Sequence, residues 1–227
     1  MHRVSLHSPL FIRITRSMTD SLHPIETYLD TTSRLIASLP SAQIVAAVDL
    51  LFDAWQRRSR VYVCGNGGSG AIASHFAGDL NKGTNIAGRH RFRAIALVDN
   101  VPALMAWSND EGYDVAMAEQ LRNFVEPGDL VIGISGSGNS ANVLMAMALA
   151  GQAGAQRLAF AGFDGGRLAQ PEHSDVAIHI PSVSMEQVED AFAVICHSVL
   201  YALRHRIRQA PPSDNLLLAS TVDAYRD

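Results

Sequence analysis

Two runs rich in glycine and serine, Gly65-Asn66-Gly67-Gly68-Ser69 and Ser135-Gly136-Ser137-Gly138-Asn139-Ser140, carry the first chemistry in this sequence. Glycine lets a backbone turn tightly and expose its N–H groups, and a helix N-terminus adds partial positive charge. The hydroxyls of Ser69, Ser135, Ser137 and Ser140 add further donors. A phosphate needs several donors and little bulk around it, and both runs supply that. The first run also satisfies G-x-G-x-x-G from Gly65 to Gly70, the dinucleotide fingerprint. That fingerprint expects a ribose-binding acid about 20 residues on. The nearest candidate, Asp99, lies too far along, and a dinucleotide gives no reason for a second serine-rich loop. A phosphate-bearing ligand and no nucleotide cofactor are therefore expected.

Two pairs of titratable residues come next. His75 and Asp79 stand at i, i+4 and share a helix face. A histidine with a carboxylate at this spacing suits a divalent transition metal, or an ordinary helix-face hydrogen bond. Glu189 and His197 stand eight residues apart on another helical segment. That is about two turns, with roughly 12 Å of rise and an offset near 80°. On spacing alone, Glu189 reads as solvated and His197 as a partly buried helix residue. Asn109-Asp110 closes an apolar segment, either as a turn or as polar groups aimed into a crevice.

These residues need elements to hold them. Amphipathic stripes over Pro24–Ser38 and Ser41–Arg58 predict two leading helices, with Ser41 as N-cap of the second. Short apolar runs then predict strands at Val61–Cys64, Arg93–Val98, Leu130–Ile134, Leu158–Ala161 and Val176–Ile180. Helical segments are expected at Ser69–Leu80, Tyr113–Phe124, Ala141–Ala153 and Met185–Arg206. The last opens with the capping-box pattern Ser184-Met185-Glu186-Gln187. Alternating strands and helices predict an α/β fold, a single doubly wound five-stranded parallel sheet with both faces covered. In a flavodoxin-like order 2-1-3-4-5, both loops would flank the topological switch point.

The chain has 227 residues, 48% hydrophobic and 18% charged, enough for one sizeable core. Residues 1–18 read as a disordered extension from an upstream start codon, since Met18 opens an ordinary start. Residues 19–208 form the domain and 209–227 a tail, in which Leu216-Leu217-Leu218 offers a docking segment. A formal charge of −4 argues against a nucleic-acid-coating role. The basic cluster Lys82, Arg89, His90, Arg91 and Arg93 reads as a solvated loop. No apolar run is long enough to span a membrane. Cys64 and Cys196 sit in apolar stretches, as buried reduced thiols in a cytoplasmic compartment would.

The collinear set Cys64-Gly65-Asn66-Gly67-Gly68-Ser69, His75-Phe76-Ala77, Ser108-Asn109-Asp110, Gly133-Ile134-Ser135-Gly136-Ser137-Gly138-Asn139-Ser140-Ala141-Asn142 and Gly162-Phe163-Asp164-Gly165-Gly166 resembles the sugar isomerase (SIS) domain family. Within it the phosphoheptose isomerase branch is the nearest, over roughly Pro24 to Arg206. The resemblance implies a homotetramer with active sites at subunit interfaces, acting on a phosphorylated sugar. It implies conversion of sedoheptulose 7-phosphate to glycero-manno-heptose 7-phosphate. It also implies zinc held by His, Glu, Gln and His, positions occupied here by His75, Asp79, Glu189 and His197. Asp79 stands where the family has Glu, and Glu189 where it has Gln. Asp79 and His197 take the roles of base and acid. Phosphate contacts fall on Ser69, Ser135, Ser137 and Ser140, and substrate contacts on Asn66, Gly67, Gly68, Asn109 and Asp110. The family's second-loop threonine is Gly136 here, and its histidine after the first-loop serine is Gly70. The alternative is a non-catalytic SIS module that senses a sugar phosphate or bridges partners. A nicotinamide dehydrogenase would bind NAD, which is not expected.

Overall fold

The computed structural model describes residues 16–211, with side chains from Leu22 onward. Residues 1–15 of the predicted N-terminal extension and the Leu216-Leu217-Leu218 segment lie outside the described residues; residues 16–18 open the first helix. Two helices lead, α1 (Arg16–Ala37) and α2 (Ser41–Arg57). Then β1 (Arg60–Gly65) runs into α3 (Gly67–Gly78), which continues into a π-helical turn, Asp79–Gly83. β2 (Arg93–Ala96), α4 (Val101–Asp110), α5 (Ala116–Arg122) and β3 (Leu130–Ser135) follow. The chain continues with α6 (Ala141–Gln152), β4 (Gln156–Ala161), β5 (Val176–His179) and α7 (Met185–Gln209).

All strand pairs are parallel, in the order β2-β1-β3-β4-β5. The chain steps from β1 out to β2 and then back past β1 to β3. The C-terminal ends of β1 and β3 therefore diverge into the two glycine loops side by side, which is where α/β sheets place ligands. Side chains alternate between the two faces of each strand. Val61, Val63, Ile132, Ile134, Leu158 and Phe160 join α2, α3 and α7 in one core cluster. Tyr62, Cys64, Val131, Ala159 and Ala161 join α5 and α6 in the other. Phe160 stands between Phe76 of α3 and Phe192 of α7, at ring-centroid distances of 6.3 and 6.0 Å.

Four details differ from expectation. α1 begins at Arg16 and carries Pro24 inside it, losing one backbone hydrogen bond there. Pro40, not Ser41, is the N-cap position of α2, and no side chain caps that helix. β2 ends at Ala96 because Leu97 and Val98 turn away toward α4, a helix the sequence pattern did not predict. The capping box of α7 is half formed. The Ser184 hydroxyl accepts from the Gln187 N–H at 3.4 Å, but the Gln187 side chain bonds Ser182 and Thr31 instead.

Candidate active site

α3 and α7 pack side by side, and three polar side chains meet between them. His75 near the end of α3 and Asp79, one turn on at the start of the π turn, face His197 of α7. The two imidazole Nε2 atoms lie 3.0 Å apart. Asp79 Oδ2 lies 3.4 Å from His75 Nε2 and 3.8 Å from His197 Nε2. The rings meet edge to face. Two imidazole nitrogens at 3.0 Å must share either a proton or an ion. Ligands about 2.0–2.2 Å from a tetrahedral zinc stand about 3.3 Å from one another. The observed separations bracket that value, so this donor set of two imidazoles and one carboxylate fits a divalent transition metal.

The two loops open onto helices that no side chain caps, as is also so of α2 and α5. α4 and α7 have side-chain caps from Asn100 and Ser184. α3 and α6, which follow the loops, have none, although Asn66 and Ser140 occupy their N-cap positions. Those side chains are spent elsewhere. Asn66 exchanges two hydrogen bonds with Asn142, each 2.8 Å, and its Oδ1 also accepts from the Tyr113 hydroxyl at 2.7 Å. Ser140 pairs with Ser135, Oγ to Oγ, at 3.0 Å. In α6 the Val143 N–H already donates to Asn142 Oδ1 at 3.0 Å; the earlier first-turn N–H groups of the two helices are open to an outside acceptor. Gly138 holds the second loop at φ +65, where a Cβ would collide with the Gly165 carbonyl.

The sequence-predicted residues divide into those the fold gathers and those it does not. His75, Asp79 and His197 come together. Glu189 does not join them. It stands two turns before His197 on α7, so it reaches the opposite end of α3, where its carboxylate lies on Gly68 in the space a side chain would take. There it faces the positive end of the α3 dipole. Asn66, Gly65, Gly67 and Gly70 line a cleft of about 310 Å³ together with Ser74, Tyr113 and Met117. Ser69 and Ser135 are buried within the loops. Ser137 accepts a hydrogen bond from the Asn139 N–H. The Met185 thioether fills the place of a side chain at Gly136. Asn109 and Asp110 end α4, exposed and hydrogen-bonded to each other at 2.7 Å, and do not line that cleft. Sequence reasoning gave no role to Asn142 or Tyr113, although Asn142 lay within the quoted second-loop motif. Tyr113 carried no local pattern to reveal it.

Residues 27–162 match the SIS domain family. The chain belongs to that family. Its SIS relatives include the phosphoheptose isomerase of a Roseiflexus species, 35% identical over 175 residues, covering 77% of this chain and 87% of the relative. The lincomycin biosynthesis protein LmbN of Streptomyces lincolnensis is 36% identical over 200 residues, covering 84% and 72%. The structure of phosphoheptose isomerase GmhA from Neisseria gonorrhoeae superposes with a TM-score of 0.73 at 27% identity, covering 84% of this chain and 100% of that one. The five-stranded parallel sheet expected from the alternating pattern is the one observed.

Proposed function

We propose that this chain interconverts the ketose and aldose forms of a phosphorylated sugar through an enediol, with sedoheptulose 7-phosphate and glycero-manno-heptose 7-phosphate as its first candidate pair. The convergence of His75, Asp79 and His197, on a helix that begins at the first phosphate loop, carries this reading. Isomerisation moves one proton between neighbouring carbons and another between their oxygens. It needs a base, an acid and stabilisation of the developing oxyanion. Asp79 turns Oδ2 toward the imidazoles, which leaves Oδ1 to carry the carbon-bound proton. When no ion is bound, His197 is the acid at the oxygens. A divalent ion held by His75, Asp79 and His197 would supply Lewis-acid polarisation of those oxygens. Nε2 of His197 cannot hold an ion and carry a proton at once, so the metal dependence of kcat separates its two roles.

In this reading the phosphate sits at the second loop, on the uncapped first turn of α6 with the Ser135, Ser137 and Ser140 hydroxyls. Glu189 supports that choice, because its carboxylate already occupies the first turn of α3 and repels a second anion. Glu189, Asn66, Gly67 and Gly68 then border the sugar hydroxyls. About 10 Å of helix separates Gly68 from His75, which leaves room for an extended sugar. A homotetramer belongs to the same proposal and is supported by the apolar side chains the single chain exposes.

Purified protein incubated with sedoheptulose 7-phosphate and zinc should form aldose. Asp79→Ala and His197→Ala should each lower kcat by about 10²–10⁴, the usual worth of a general acid or base. No product at high enzyme concentration sinks the heptose assignment. Because one relative is named for lincomycin biosynthesis, the assay should include phosphosugars of other chain lengths. Variants that keep full biological activity would favour the sensor reading instead.

A further inference from the structure

The π-helical turn Asp79–Gly83 has a feature that the proposed chemistry does not use. Asn81, at its centre, is pinned to the edge strand β2 by two hydrogen bonds. Its Nδ2 donates to the Ala94 carbonyl at 2.8 Å, and its Oδ1 accepts from the Ala94 N–H at 2.9 Å. The amide thus acts as one residue of a neighbouring strand, on the side of β2 away from β1. The other side of the turn meets α7, where a Cβ on Gly83 would stand 3.2 Å from both Leu200 methyl carbons. Leu80 within the turn is fully buried, and Thr84 closes it by donating to the Leu80 carbonyl at 2.6 Å. A π turn has one residue more than an α turn and persists where its surroundings hold it, often beside functional groups. This one is a wedge between β2 and α7, and its first residue is Asp79.

We propose that Asn81 is a positioning residue. By clamping the π turn to β2 it sets the gap between α3 and α7 across which Asp79 and His75 face His197. This inference rests on the reading of that cluster as a metal-assisted isomerase site. The chemistry of the clamp is specific. Ala94 presents one donor and one acceptor, and a side chain meeting both needs an amide at this length. Aspartate would keep the bond from the Ala94 N–H and lose the donation. Alanine would lose both and leave the turn free to relax toward α-helical register, which carries the Asp79 carboxylate away from His197.

The test is Co²⁺ binding, read by visible absorption, together with kcat and KM for the phosphosugar. Outer-shell partners of metal ligands commonly affect metal affinity by 10–100-fold. Asn81→Ala should weaken Co²⁺ binding by about tenfold or more, alter the shape of the absorption band, and lower kcat with KM changed by less than about threefold. Asn81→Asp should fall between wild type and alanine, which keeps the proposal testable should the alanine variant fold poorly. Lys82→Ala, on the exposed side of the same turn, should match wild type. Wild-type affinity, band shape and kcat in Asn81→Ala overturn the proposal, as does an equal loss in Lys82→Ala. A wild-type protein that neither binds Co²⁺ nor isomerises overturns the functional reading and this inference together. An active, Co²⁺-binding wild type with an unchanged Asn81→Ala variant overturns this inference alone.

Discussion

At the residue scale, reactivity follows from where each titratable group sits. His75 and His197 keep about half of their side-chain surface in solvent, and Asp79 keeps a quarter. The cluster is therefore open to ligand on one side and held by helices on the other. The two cysteines are the opposite case. Cys64 lies in the core beneath the first loop, and burial pushes its thiol up to about 12. Burial also raises the Cys196 thiol, and the nearby Asp79 carboxylate adds to the effect. A raised thiol pKa means almost no thiolate at neutral pH, and thiolate is the reactive form. Neither cysteine should react with a disulfide reagent in the native protein, and both should titrate once it is denatured. Rapid native labelling of either would contradict the burial that places Cys196 behind the cluster.

At the element scale, two contacts align the parts of the site. The Asn66–Asn142 amide pair ties the first loop to the first turn of α6, across 76 positions of sequence. Asn142 is 2% exposed, and its removal takes a partner from Asn66 Nδ2 and from the buried Val143 N–H. Asn142→Ala should cost about 1–3 kcal/mol in denaturant unfolding. It should also raise KM more than it lowers kcat, because it loosens both loops and leaves Asp79 in place. A variant of wild-type stability and KM would show that the loops hold their spacing without the pair. The π turn is the second contact, and it fixes the depth of α3 between β2 and α7.

At the scale of the whole molecule, the chain leaves apolar surface uncovered. α4 has no buried residue, although Val101 and Met105 are 52% and 66% exposed. Leu29 on α1 is 62% exposed and Tyr201 on α7 is 76% exposed. Apolar side chains presented by three separate helices are what an assembling subunit displays. Light scattering of the purified protein should give four times the 24.5 kDa chain mass, and a monomer at assay concentration would remove the tetramer from the proposal.

Local rules made much of this protein legible in its sequence. Short apolar runs marked the strands, the glycine runs marked the loops, and the i, i+4 spacing put His75 and Asp79 on one face. Each of those features spans no more than a few turns of chain, where backbone geometry alone sets what lies beside what. Other features needed the folded chain. His197 reaches His75 over 122 positions of sequence, and no local pattern encodes that distance. Glu189 was grouped with the metal ligands by resemblance, but the antiparallel or parallel run of one helix past another decides which end of α3 it meets, and it meets Gly68. α4 was missed because it sets little more than Leu104, partly buried, against the core and so shows no stripe, and the π turn was missed because its stability comes from β2 and α7. The sequence by itself determined the sheet, its two glycine loops and the His75–Asp79 pair of the cluster. The packing of α3 against α7 added His197 and left Glu189 out, because side chains two turns apart on one helix cannot converge on the same point of its neighbour.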